Sequence, residues 1–252
     1  PSYYITRGLK NSGFKNFLSK FFSIMIILAL GCFGNMTQSN SIAQSINAAN
    51  PKIPLIAIGA VIAIIAALVF IGGIKRIASF AQLVVPFMAL LYIVFSIITL
   101  VKFRENLAQS FKLIFQAAFT SKALAGGALG YGIKKAIRYG VARGLFSNEA
   151  GMGSTPHAHA TANVAHPVEQ GLTAMVGVFI DTIVICSATV LMILVTDSMS
   201  SGLDGALLTQ KAFEIGFGSF GKILLAISLT FFAFTTIIGW YYFCLLYTSP
   251  SP

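Results

Sequence analysis

Long apolar runs, broken by short polar and basic connections, set the plan of this chain. Such runs lie near residues 18–46, 54–74, 81–101, 171–196 and 219–247. A sixth, over 133–163, is apolar in outline but interrupted by glycines and polar residues. Crossing a bilayer as a helix takes about 20 residues, and these runs reach that length. Strands of a membrane barrel would alternate lipid-facing and lumen-facing residues in short segments, and that alternation is absent. The pattern therefore predicts an all-α integral membrane core over 18–247, preceded by a connection at 1–17 and followed by a short tail at 248–252.

The interruption in the sixth run is the most unusual stretch of the chain. Gly144 to Ser154, GLFSNEAGMGS, puts three glycines, an asparagine and a glutamate where a span is expected. A carboxylate near the bilayer midplane costs about 2.5 kcal/mol or more, and a glycine in a helix interior about 1 kcal/mol. What usually compensates is a broken helix whose freed backbone groups bind a solute or ion.

Composition agrees with a lipid environment. Hydrophobic residues make up 56% and charged residues only 10%, against about a quarter charged in soluble domains, and the mean hydropathy is +0.84. The net charge of +10 resides in connections and span ends, as membrane flanks require, so nucleic-acid binding is not indicated. Cys32, Cys186 and Cys244 each sit in an apolar run and read as small hydrophobes, without a disulfide framework. Arg7, Lys10, Lys15 and Lys20, with Lys75 and Arg76, place the first two short basic connections in the cytoplasm. The eight Lys and Arg of 102–143 fall on the opposite side by span count. That segment carries an apolar stripe at Leu107, Phe111, Ile114, Phe115, Ala118 and Phe119, the spacing of an interfacial helix. The chain begins at Pro1 and closes on TSPSP, which is most economically read as a fragment of a longer protein with 248–252 at the edge of the native frame.

Polar positions inside the runs are candidates for chemistry. Asn35, Gln38 and Ser39 follow helical spacing and form a stripe that faces other helices, for ligand contact or for interhelical hydrogen bonding. Thr236 and Trp240 are four apart and share a face. A hydroxyl beside an aromatic can bound a small polar solute, and Thr235 with Thr236 offers hard oxygens to a small cation. Threonines also bond back to their own helix, and Trp240 with Tyr241 and Tyr242 equally fits an interfacial belt. Asp181 is a second deep carboxylate, either a proton relay or a structural partner of a group such as Arg143. Glu149 carries the same ambiguity, with its glycine-rich setting favouring a site.

Enzyme chemistry finds no support. His157 and His159 are two apart, whereas zinc sites on one helix use i, i+4. GGALGYGIKK at 126–135 lacks the spacing of a phosphate loop, and no GxSxG elbow occurs. No cofactor is indicated.

Several runs together resemble a known family. GLFSNEAGMGSTP at 144–156, HPVEQGL at 166–172, GVFIDTIVICSAT at 177–189, GGIKRIA at 72–78, VVPFMALLY at 84–92 and FAFTTIIGWYY at 232–242 are similar to the sodium-coupled alanine/glycine cation symporters of bacteria and archaea. The resemblance runs from YYI at 3–5 through nearly the whole chain and weakens after Phe243. It implies a leucine-transporter type fold of two inverted repeats, of which this chain would hold about helices three to eight, without the first broken helix. It implies a multi-pass protein of a prokaryotic plasma membrane that takes up alanine or glycine with sodium as coupling ion and no cofactor. By the same resemblance Gln38, Phe146, Asn148, Gly151, Thr236 and Trp240 line the amino-acid pocket, and Thr235 and Thr236 contribute to a sodium site. Glu149 and Asp181 are left as structural or coupling candidates, with Glu149 expected to accept backbone N–H bonds of the unwound turn. Lys134, Lys135 and Arg138 would lie near the outer side, against the charge rule. The readings in competition are proton coupling through Asp181 or Glu149, and a channel or structural helix bundle.

Overall fold

The computed structural model describes residues 2–119, 137–142, 144, 146–147, 149 and 152–248. Among these residues every regular element is helical. Helix α1 (Ser2–Gly8) leads to α2, which starts at Ser12 because the Asn11 side chain accepts the N–H groups of Gly13 and Phe14 and so satisfies two orphan donors. The rod α2 is α-helical over Ser12–Ile26, widens to a π-helix over Ile27–Gly34, and returns to α over Asn35–Ala49. Next come α3 (Leu55–Ile71), α4 (Gly73–Lys102) and α5 (Leu107–Phe119).

Within the sixth run, part of which is helical at 137–142, the short α6 (Thr155–His159) precedes α7. Helix α7 runs over Pro167–Val195, again with a π-helical middle, Ile180–Cys186. Helices α8 (Gly205–Phe217) and α9 (Ser219–Thr248) complete the chain. Among the described residues four helices are long and apolar enough to cross a membrane: Gly13–Ala49, Arg76–Lys102, Pro167–Val195 and Ser219–Leu245. This is the architecture of an integral membrane protein.

Helix α9 is the hub, packed against α2, α3, α4 and α8. One core joins Ile42, Ile58, Ile62, Phe234 and Ile238, where α2, α3 and α9 meet. A second joins Tyr92, Met192, Phe213 and Leu225 between α4, α7, α8 and α9. Helices α8 and α9 fold back on each other so closely that a Cβ on Gly221 would sit 2.1 Å from the Phe213 carbonyl oxygen, a separation only glycine allows. The end of α4 and the turn after it serve two other helix ends. Lys102 Nζ donates to Gly216 O at 2.7 Å, and Asn106 Nδ2 donates to Val195 O at 2.9 Å, supplying donors to carbonyls that the ends of α8 and α7 leave unpaired.

The outer surface is apolar. Ile56, Ile71 and Leu83 are 87%, 82% and 78% exposed, far from the polar surface that water demands. Such faces belong against lipid or further helices.

Candidate functional site

Two close approaches fix the register of α2 against α9. Gly31 lies beside Cys244 Sγ, and Gly34 lies against the Trp240 ring, where a Cβ would come within 2.5 Å of Cζ3. As residue numbers rise along α2 they fall along α9, so the pair is antiparallel. One turn further, that register brings Gln38 level with Thr236, since four residues of helix span about 6 Å. Gln38 is half-buried, and its side chain makes no hydrogen bond to the described residues. The wider π-helical turn that ends at Gly34 lies immediately before this level, and π-helical turns recur at functional sites.

The interrupted segment meets α9 one turn away, at the level of Gly34 and Trp240. Phe146 packs edge-on against Trp240, with ring centroids 5.2 Å apart and planes at 70°, the edge-to-face geometry aromatic quadrupoles favour. Ile26, Leu30 and Trp240 form the buried centre of this cluster, with Phe146 and Met152 against it. Asn148, Gly151 and Arg143 lie outside the described residues, as do Lys134 and Lys135.

Glu149 adopts φ 52°, a left-handed conformation rare for a residue with a side chain. Its amide N–H points to Phe146 O at 3.4 Å, and its carbonyl accepts from Met152 N–H at 3.2 Å, so the chain turns here instead of continuing as a helix. Among the described residues the Glu149 carboxylate is engaged by two side chains, and residues 148, 150 and 151 of the turn, whose N–H groups the sequence offered to it, lie outside those described. Oε1 accepts from Trp240 Nε1–H and Oε2 from the Ser154 hydroxyl, both at 2.7 Å. The reason is geometric: the left-handed turn aims the side chain across to α9, where an indole N–H in an apolar cluster needs an acceptor.

Asp181 lies on the π-helical turn of α7 and accepts from the Ser147 hydroxyl at 2.8 Å, while Ser147 Oγ is 3.9 Å from Cys186 Sγ. Arg143, the basic partner the sequence offered to Asp181, lies outside the described residues; among those described, a serine of the interrupted segment donates to it. The segment is thus tied on one side to α9 and on the other to α7.

Thr235 Oγ1 donates to Phe231 O and Phe232 O, each at 2.9 Å, and Thr236 Oγ1 donates to Phe232 O at 3.0 Å. With their hydrogens committed to the helix, the hydroxyl lone pairs remain as the available atoms. That is the state in which a hydroxyl ligates a hard cation such as sodium. Among the described residues no three His, Cys, Asp or Glu side chains gather as a metal cluster would require. A cavity of about 590 Å³, lined in part by Tyr4, Thr155, His159 and Gln170, opens beside α6 and away from the Phe146–Trp240 pair.

Comparison with known proteins gives the family context. A model of the sodium:alanine symporter family matches residues 1–247. The chain is 37% identical over 247 residues to a sodium/alanine symporter of Methanococcus maripaludis, covering 96% of this chain and 53% of that protein. Against a Bacillus subtilis protein provisionally named a sodium/proton-dependent alanine carrier it is 40% identical over 256 residues, 96% of this chain and 51% of the relative. A second Bacillus subtilis protein, provisionally named a sodium/glutamine symporter, is 38% identical over 244 residues, 96% and 49% of the two chains. The chain spans about half the length of the curated relatives it matches.

Proposed function

The chain belongs to the sodium:alanine symporter family, and from that premise we propose that the full-length protein is a sodium-coupled transporter of small neutral amino acids, alanine and glycine, in a bacterial or archaeal plasma membrane. On this reading the chain supplies about helices three to eight of a leucine-transporter type fold. The observation that carries the proposal is the packing of Phe146 of the interrupted segment against Trp240, beside Gly34 and one helical turn along the α2–α9 pair from Gln38 and Thr236.

A zwitterion needs donors for its carboxylate, acceptors for its ammonium and a wall that leaves room only for hydrogen or methyl. Gln38 offers an amide, the interrupted segment offers carbonyls that a continuous helix would consume, and Phe146 with Trp240 makes the wall. Sodium takes the oxygens of Thr235 and Thr236 with backbone carbonyls. Coupling is then differential affinity: sodium favours the arrangement in which the pocket is complete, and the ion gradient drives net uptake by alternating access.

Purified full-length protein in proteoliposomes tests this. Saturable alanine uptake that requires external sodium is expected. Uptake proportional to concentration and indifferent to sodium marks a channel or leak and ends the symport reading. One observation favours a second ion, because Asp181 shares a hydrogen bond with the interrupted segment where a proton would reach the site. Uptake that persists without sodium but stops when the pH gradient is collapsed supports that alternative.

A further inference from the structure

Glu149 has no part in the amino-acid pocket proposed above, yet its carboxylate is engaged by two side chains among the described residues. Its left-handed φ of 52° is a strained conformation that persists only where the surroundings hold it. Ser154, which is fully buried, occupies Oε2. The Ser154 carbonyl is in turn held by His157, through its backbone N–H at 2.9 Å and ring Nδ1 at 2.7 Å, so the anchor of the carboxylate is itself fixed. Oε1 takes the indole N–H of Trp240 at 2.7 Å.

The indole is thereby clamped on several sides. Glu149 holds its nitrogen edge, Gly34 lies flush against its six-membered ring, and the edge of Phe146 meets it. An indole with a free N–H could rotate about its χ angles; one bonded to a fixed carboxylate cannot without losing a charge-assisted hydrogen bond.

We propose that Glu149 is a positioning and specificity-determining residue: it sets the orientation of the Trp240 indole and, through it, the space left for a substrate side chain beside Phe146. The inference rests on Phe146 and Trp240 as the pocket wall. It assigns the carboxylate the role of an aligned acceptor, so a neutral amide at the same place should serve.

The test uses the full-length protein in proteoliposomes with Glu149→Ala and Glu149→Gln. In Glu149→Ala the KM for alanine should rise on the order of tenfold while the maximal rate stays within about threefold, the size expected for losing one hydrogen bond to a charged acceptor. Leucine should compete with alanine on the order of tenfold better than in the wild type, because the released indole widens the wall. Glu149→Gln, whose amide oxygen still accepts from the indole, should keep both values near wild type. Trp240 emission, taken as the difference from Trp240→Phe, should shift to the red in Glu149→Ala and hold its position in Glu149→Gln.

A lowered maximal rate with unchanged KM and unchanged alanine-to-leucine preference in Glu149→Ala overturns the proposal, as does a Glu149→Gln that behaves like Glu149→Ala. Should Glu149→Ala fail to fold, Ser154→Ala frees one side of the carboxylate and should move KM and preference in the same direction by a smaller factor; no movement there counts against the proposal. If the wild type shows no sodium-dependent alanine uptake, the transport reading fails, and the emission shift still decides whether Glu149 sets the indole.

Discussion

Trp240 gathers the consequences of the site in one side chain. Its ring rests on Gly34, where an added Cβ would come within 2.5 Å, and overpacking of this kind typically costs about 1–3 kcal/mol. Gly34→Ala should therefore lower the thermal unfolding midpoint in detergent and weaken alanine uptake together. Gly59→Ala, with nothing within 4 Å of its Cβ position, should lower neither and serves as the control. Thr236 tests the cation side. Its hydroxyl hydrogen is spent on Phe232 O, so Thr236→Val removes an oxygen that sodium could use while keeping the shape. The sodium concentration for half-maximal uptake should rise on the order of tenfold, with Thr236→Ser near wild type; an unchanged sodium dependence removes Thr236 from the ion site.

At the scale of elements, the helical class and the membrane character were legible because long apolar runs admit few other structures. The starts and interiors of helices were less so. Asn11 caps α2 well before the apolar run begins, and the π-helical turns Ile27–Gly34 and Ile180–Cys186 leave no mark in hydropathy. The pairing of Thr236 with Trp240 was readable from i, i+4 spacing. Glu149 with Trp240, or Ser147 with Asp181, was not, since these contacts join residues 91 and 34 positions apart and local periodicity says nothing about them. Gly34 looked like any small residue in a membrane helix until the ring against it was seen.

The junction of α8 and α9 offers an electrostatic prediction. Lys222 Nζ at 2.8 Å and Lys211 Nζ at 3.0 Å flank the Glu214 carboxylate, and the Lys222 hydrogen bond holds its pKa below the ordinary carboxylate value against the opposing effect of burial, with the Lys211 hydrogen bond adding less than either. A lowered folded-state pKa stabilises the fold above the ordinary value, and the contribution is lost as pH falls through the depressed one. Between about pH 5 and about pH 3 the wild type should lose stability relative to Glu214→Gln. The difference should stay below about 1 kcal/mol because the group is partly solvated. Melting curves in detergent across that range check it, and parallel pH profiles for the two proteins contradict it.

On the scale of the whole molecule, the apolar outer faces suit contact with lipid or with further helices, and the chain spans about half the length of the relatives it matches. The proposed function requires an ion gradient to perform work on an amino acid. Steady-state accumulation of alanine in proteoliposomes, measured as the inward sodium gradient is varied at fixed pH, tests it most directly. Internal alanine should exceed the external concentration, by a margin that rises with the gradient and vanishes when sodium is equal on both sides. Equilibration to equal alanine at every sodium gradient contradicts it.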